Sequence, residues 1–132
     1  MKKQIKSWLE FAEKDLKTAK VLLEKEELRN ITSFHCQQCV EKSLKAIILQ
    51  FKNNIPRVHD LLRLYSLIKD EIGFDLNEEN LKTLNEIYVD SRYPGDMGLL
   101  PDGTPSKKRV KQFYDFANLV LKKVKKYLNE YL

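Results

Sequence analysis

The chain has 132 residues, with 24 Lys and Arg against 19 Asp and Glu and a net charge of +5. At 42% hydrophobic and 33% charged it reads as one globular domain, residues 1–132, which excludes a disordered chain. No apolar run approaches the eighteen residues of a membrane-spanning helix, and four Gly with four Pro argue against a turn-rich all-β fold. The opening residues, Met1-Lys2-Lys3-Gln4-Ile5-Lys6-Ser7-Trp8, lack the apolar stretch of a signal peptide, so a cytoplasmic location is expected.

The first apolar stripe is Ile5, Trp8, Leu9, Ala12, Leu16, Ala19 and Leu23. Its spacings of three and four predict a helix over residues 2–27, with Glu10–Lys14 and Glu13–Lys17 as favourable pairs on the other face. A second helix starts near Asn30, with Ile31, Phe34, Val40, Leu44, Ile47, Ile48 and Phe51 on its stripe. Asn53-Asn54-Ile55-Pro56 ends it. Leu61, Leu64, Tyr65, Ile68 and Ile72 mark a short third helix, closed by Gly73. Asp75 and Glu78 form a candidate capping box for a fourth helix through Leu81, Leu84, Ile87 and Tyr88 to about Ser91.

Residues 93–106 hold three of the four Pro and three of the four Gly, a long connection for a compact bundle. Thr104 is the expected cap of a last helix, with Pro105 at its first position. The final stripe is Val110, Phe113, Tyr114, Ala117, Val120, Leu121, Val124, Leu128 and Tyr131. The fold expected is all-α: an antiparallel up-and-down bundle of four long helices plus one shorter helix.

Residues 1–104 hold 16 basic and 17 acidic side chains, whereas residues 105–132 hold 8 and 2. The basicity therefore belongs to the last helix. Lys107, Lys108, Arg109 and Lys111 crowd its start, where the helix dipole opposes positive charge, so a phosphate is a plausible partner there. Lys122, Lys123, Lys125 and Lys126 lie near its end, where cations are simply stabilising.

His35-Cys36-Gln37-Gln38-Cys39 offers three ligands for zinc, one short of a structural site. Lying inside a helix with no strand before it, the Cys pair is expected to pack in the core. His59 is a candidate anion contact and Arg92 a fork suited to phosphate. Tyr93 is a candidate stacking platform for a base. No phosphate-cradling Gly loop, Ser-His-Asp set or paired-carboxylate site is present, and neither metal nor cofactor is expected.

The ordered series Trp8-Leu9, Ala12, Asp15-Leu16, Ala19, Leu22-Leu23, Phe34, Gln37-Gln38, Val40 through Ala46, His59-Asp60-Leu61, Tyr88 and Arg92-Tyr93-Pro94 resembles the HEPN domains. The resemblance covers nearly the whole chain. It implies a helical bundle that forms homodimers and works beside a minimal nucleotidyltransferase, often as a toxin–antitoxin pair. It also implies, for many members, metal-independent ribonuclease activity through an Arg-x(4–6)-His motif. Here Arg92 is followed by Tyr93-Pro94-Gly95-Asp96-Met97-Gly98-Leu99, without a His. Arg29 to His35 fits the spacing but lies at the start of the second helix.

The expectation is thus a nucleotide- or RNA-binding partner subunit of a nucleotidyltransferase. Lys45, His59, Arg92, Tyr93, Lys107, Lys108 and Arg109 are its candidate contacts. The alternatives are a ribonuclease using Arg92 with His59 or His35, and a structural dimer without a ligand.

Overall fold

The computed structural model describes residues 2–92 and 104–129, with side chains given outside residues 88–92. Five α-helices carry it: α1 (Lys3–Leu22), α2 (Arg29–Phe51), α3 (Leu61–Ser66), α4 (Glu78–Arg92) and α5 (Lys107–Asn129). A single 3-10 turn, Glu26–Leu28, joins α1 to α2, and no strand occurs among the described residues.

α2 is the central element. From Cys39 to Leu49 every residue but Lys42 is buried, because α1, α3, α4 and α5 all pack on it. Apolar Val40, Leu44, Ile47 and Ile48 fill the core with Leu9 and Ala12 of α1, Leu81 and Leu84 of α4, and Phe113, Val120 and Val124 of α5. A helix covered on so many sides must also bury polar groups, and such groups need partners. That demand builds the site described below.

Side-chain contacts fix the directions. α1 and α2 run antiparallel, since His35 meets Asp15 near one end and Lys2 Nζ reaches the Leu49 carbonyl at the other. α5 is antiparallel to α1, with Lys107 on Glu24 and Lys125 on Glu13. It therefore runs with α2, as the Cys39–Ala117 and Phe51–Tyr127 contacts also require.

The boundaries differ from the sequence reading in four places, each for a local reason. α1 stops at Leu22, not residue 27, because Glu24-Lys25-Glu26-Glu27 offers nothing apolar to bury. The Leu22 carbonyl at its end accepts from Lys25 N–H at 2.9 Å, and Thr32 Oγ1 lies 3.3 Å from it and 3.0 Å from the Leu28 carbonyl. α3 closes at Ser66 and continues to Ile72 only as successive turns. α4 is capped by Asn77, whose Oδ1 accepts from Asn80 N–H, not by an Asp75/Glu78 box. Leu76, buried and held by the Tyr65 hydroxyl through its N–H, sets that start. α5 is capped by Ser106, whose Oγ accepts from Arg109 N–H, rather than by Thr104.

Four expected side-chain placements also change. Ile31 and Phe51, placed on the buried stripe of α2, are 47% and 41% exposed, because they sit at its two ends. The Glu10–Lys14 and Glu13–Lys17 pairs are not made. Lys14 lies over the Phe11 ring instead, and Glu13 pairs with Lys125 of α5.

Candidate functional site

The heart of α2 carries Glu41, whose side chain is 5% exposed. One helical turn in each direction supplies a partner. Gln37 Nε2 donates to Oε1 at 3.0 Å, and Lys45 Nζ donates to Oε2 at 3.1 Å. These are i,i+4 neighbours on one face. The third partner comes from the segment before α3: His59 Nδ1 lies 3.1 Å from both carboxylate oxygens. A carboxylate accepts, so Nδ1 carries the proton and donates, which leaves Nε2 as the acid–base atom of the ring.

The next residue fixes the approach of His59. Asp60 caps α3 by accepting from the N–H groups of Leu62 and Arg63, and Asn85 of α4 donates to Asp60 Oδ1 while accepting from Leu61 N–H. His59 is thus tied to α2 through Glu41 and to α4 through its neighbours. Its ring is about half exposed, at 51%, whereas Lys45 is 7% exposed.

A second cluster repeats the arrangement on α1. Asp15, 10% exposed, accepts from His35 Nδ1 at 2.9 Å and from Lys42 Nζ at 2.6 Å. Each of the two histidines is therefore held by a nearly buried carboxylate that also holds a lysine of α2.

Cys36 and Cys39 are free thiols, fully buried, and pack in the core as expected. Burial, with Cys39 and then Asp15 beside it, pushes the Cys36 thiol far up. Burial, then Asp15, pushes Cys39 up to about 12, against lowering by Ser43 and Lys42. Both therefore stay protonated at neutral pH and pack as small apolar groups. No group of three His, Cys, Asp or Glu that could hold a metal occurs among the described residues.

The expected contacts fall into two groups. Lys45 and His59 meet on Glu41, at the Trp8 end of α1, where Lys45 Nζ stands 5.7 Å over the Trp8 ring. Lys107 pairs with Glu24 at 3.2 Å, just past the other end of α1. Fourteen residues separate Trp8 from Leu22, about 21 Å of helix, so one small ligand does not touch both groups.

Within the second group, Arg109 reaches Gln112 and lies over the Phe113 ring, and Lys111 pairs with Asp115 at 2.8 Å. The Asp115 hydrogen bond raises the Lys111 pKa. Own-chain acids thus occupy Lys107 and Lys111, whereas Lys108 is exposed without an ion pair among the described residues. Arg92 ends α4, two turns beyond Asn85, while Tyr93 lies outside the described residues.

Sequence reasoning missed the two organising acids, Glu41 and Asp15. The i,i+4 series Gln37, Glu41, Lys45 was a signal for the first. Nothing local announced Asp15, whose partners lie 20 and 27 residues away.

The HEPN domain family model matches residues 5–127. No functionally curated protein matches the chain significantly. Among solved structures, TT1696 from Thermus thermophilus superposes with a TM-score of 0.75 at 23% identity, covering 96% of this chain and 99% of that one. ST0689, described as an archaeal HEPN homologue, superposes with a TM-score of 0.66 at 25% identity, covering 95% and 97%. The family match reaches all five helices and the fold agrees across both structures, so the chain belongs to the HEPN domain family.

Proposed function

We propose that this protein is a phosphate-recognising subunit that binds a nucleotide or RNA as a homodimer and acts beside a nucleotidyltransferase partner. One observation carries the recognition: His59 is held at Nδ1 by buried Glu41 while half of its ring faces solvent. Once protonated on both nitrogens the imidazolium is a donor suited to an anion, and a donor fixed in advance loses little freedom on binding. Lys45 serves this site from behind. Its ammonium is spent on Glu41, so it holds the carboxylate rather than a ligand. Lys107, Lys108 and Arg109 form a separate basic surface that a longer RNA would reach. Membership of the HEPN family and the family's association with nucleotidyltransferases support the partner role.

The test is equilibrium binding of a short single-stranded RNA and of AMP over a salt series. Binding should weaken as salt rises, because phosphate contacts release counterions. Absent or salt-insensitive binding would sink the reading.

The Glu41–His59 pair also favours a second reading, because a carboxylate-oriented imidazole is the usual form of a general base. RNA cleavage in chelator by the wild type, lost in both Arg92→Ala and His59→Ala, would establish a metal-independent ribonuclease. Wild-type inactivity in the same assay excludes it.

A further inference from the structure

Where the segment between α3 and α4 meets the end of α5 lies a pocket of about 350 Å³, lined by Gly73, Phe74, Lys123, Lys126 and Tyr127. Its volume falls in the range of small-molecule sites. Its aromatic wall is fixed: the Tyr127 hydroxyl donates to the Glu71 carbonyl at 3.3 Å, and the Tyr127 ring meets Phe74 edge-on at 6.2 Å. Lys123 Nζ stands 5.5 Å from the Phe74 centroid. Neither Lys123 nor Lys126 makes an ion pair among the described residues, whereas Lys125 turns to Glu13 of α1. Glu71 and Asp75, which flank Gly73 and Phe74 in the chain, are exposed and pair with neither lysine. A place near the helix C-terminus accounts for the lysines, but not for an aromatic pocket beside them. Gly73 keeps one side of it open. A Cβ there would meet nothing within 4 Å, and its φ lies outside the left-handed region, so neither packing nor backbone requires glycine.

We propose that this pocket binds a small aromatic carboxylate, its ring against Phe74 and Tyr127 and its carboxylate on Lys123 and Lys126. A wall of two rings set edge to face takes a third flat ring in the same manner. The ring contact leaves the Lys123 ammonium without a counter-charge, and a carboxylate supplies one through a charge-assisted hydrogen bond. Lys123 and Lys126 stand three residues apart on one helix, neighbours on its surface, so one anionic group reaches both. The pocket shares no residue with the Glu41–His59 cluster, and the inference does not depend on the phosphate-recognition reading.

Gly73 is one of four glycines, so its backbone amide is readily assigned in a nitrogen–proton NMR spectrum. Titration with indole-3-acetate should shift that amide saturably. Indole-3-acetamide keeps the ring and loses the charge, and acetate keeps the charge and loses the ring. Each should bind at least about fivefold more weakly. Lys126→Gln, which changes an exposed side chain, should weaken indole-3-acetate by a similar factor. Gly73→Leu should block the pocket and abolish binding, followed through the Tyr127 amide, while thermal unfolding verifies that the variant is folded. No shift, equal affinity for the acid and its amide, or an unchanged Lys126→Gln overturns the inference. Undiminished binding by a folded Gly73→Leu does the same. So does inorganic phosphate that binds as tightly as indole-3-acetate, or an acidic peptide that binds where indole-3-acetate does not.

Discussion

The Glu41 carboxylate grips the His59 imidazole with both oxygens, each 3.1 Å from Nδ1. Glu41 belongs to the central helix and His59 to the segment entering α3, so the contact sets a surface side chain from the core. The same carboxylate pairs with Lys45, which is almost wholly buried. The proposed binding residue and the fold therefore share one group, and changes at Glu41 should register in both.

Glu41→Gln keeps the side-chain shape but leaves the Lys45 ammonium buried without a counter-charge. Breaking one side of a buried pair costs roughly 3–5 kcal/mol. Chemical denaturation should show a loss of that size with an unchanged m-value. A loss under about 1 kcal/mol would mean that the pair is solvated and does not organise the site.

Lys107→Glu and Lys108→Glu should behave oppositely. Both partners in the Lys107–Glu24 pair are about three-quarters exposed, so each variant should lie within about 0.5 kcal/mol of wild type in stability. If a single-stranded RNA reaches this surface, each removed phosphate contact lowers the slope of log affinity against log salt by about 0.7. Thermal unfolding and the salt series measure the two effects separately.

Asp15→Asn removes the charge that His35 and Lys42 share. Lys42 is partly exposed and its ammonium can turn to water, so the cost should be about 1–3 kcal/mol, below that at Glu41. A larger loss than that of Glu41→Gln would reverse the ranking of the two clusters.

The cysteines give a pH prediction. In the folded state both thiols are raised above the ordinary value of 9.0, Cys39 to about 12. The unfolded chain therefore loses these protons first. The stability from burying neutral thiols is complete below pH 9 and declines as pH rises from 9 toward 12 for Cys39, by up to about 1.4 kcal/mol per unit. Cys39→Ala should remove that share of the alkaline loss. Neither thiol should react with a thiol reagent at pH 8 until denaturant is added.

Much of the fold was legible because four long apolar stripes repeat at helical spacing. The ends were not. Four charged residues after Leu23 stopped α1, and the caps of α4 and α5 fell to Asn77 and Ser106, with Leu76 buried just before α4 and Pro105 and Val110 buried around the start of α5. In the site, His59 stood out as a titratable residue at a helix start. Its anchor did not, because Glu41 lies eighteen residues earlier on another helix. Lys45 looked like a phosphate contact, since sequence alone cannot show a lysine already spent on a buried acid. The basic start of α5 drew attention by charge, yet Glu24 and Asp115 occupy two of its four cations.

The most direct measurement compares wild type and His59→Ala binding a short single-stranded RNA by fluorescence anisotropy in chelator, across a salt series. His59 is half exposed, so the variant should keep its fold, checked by circular dichroism. The account predicts salt-sensitive wild-type binding that weakens about tenfold or more in the variant, the effect of losing one charge-assisted contact. Binding of equal strength by both proteins, or by neither, would contradict it.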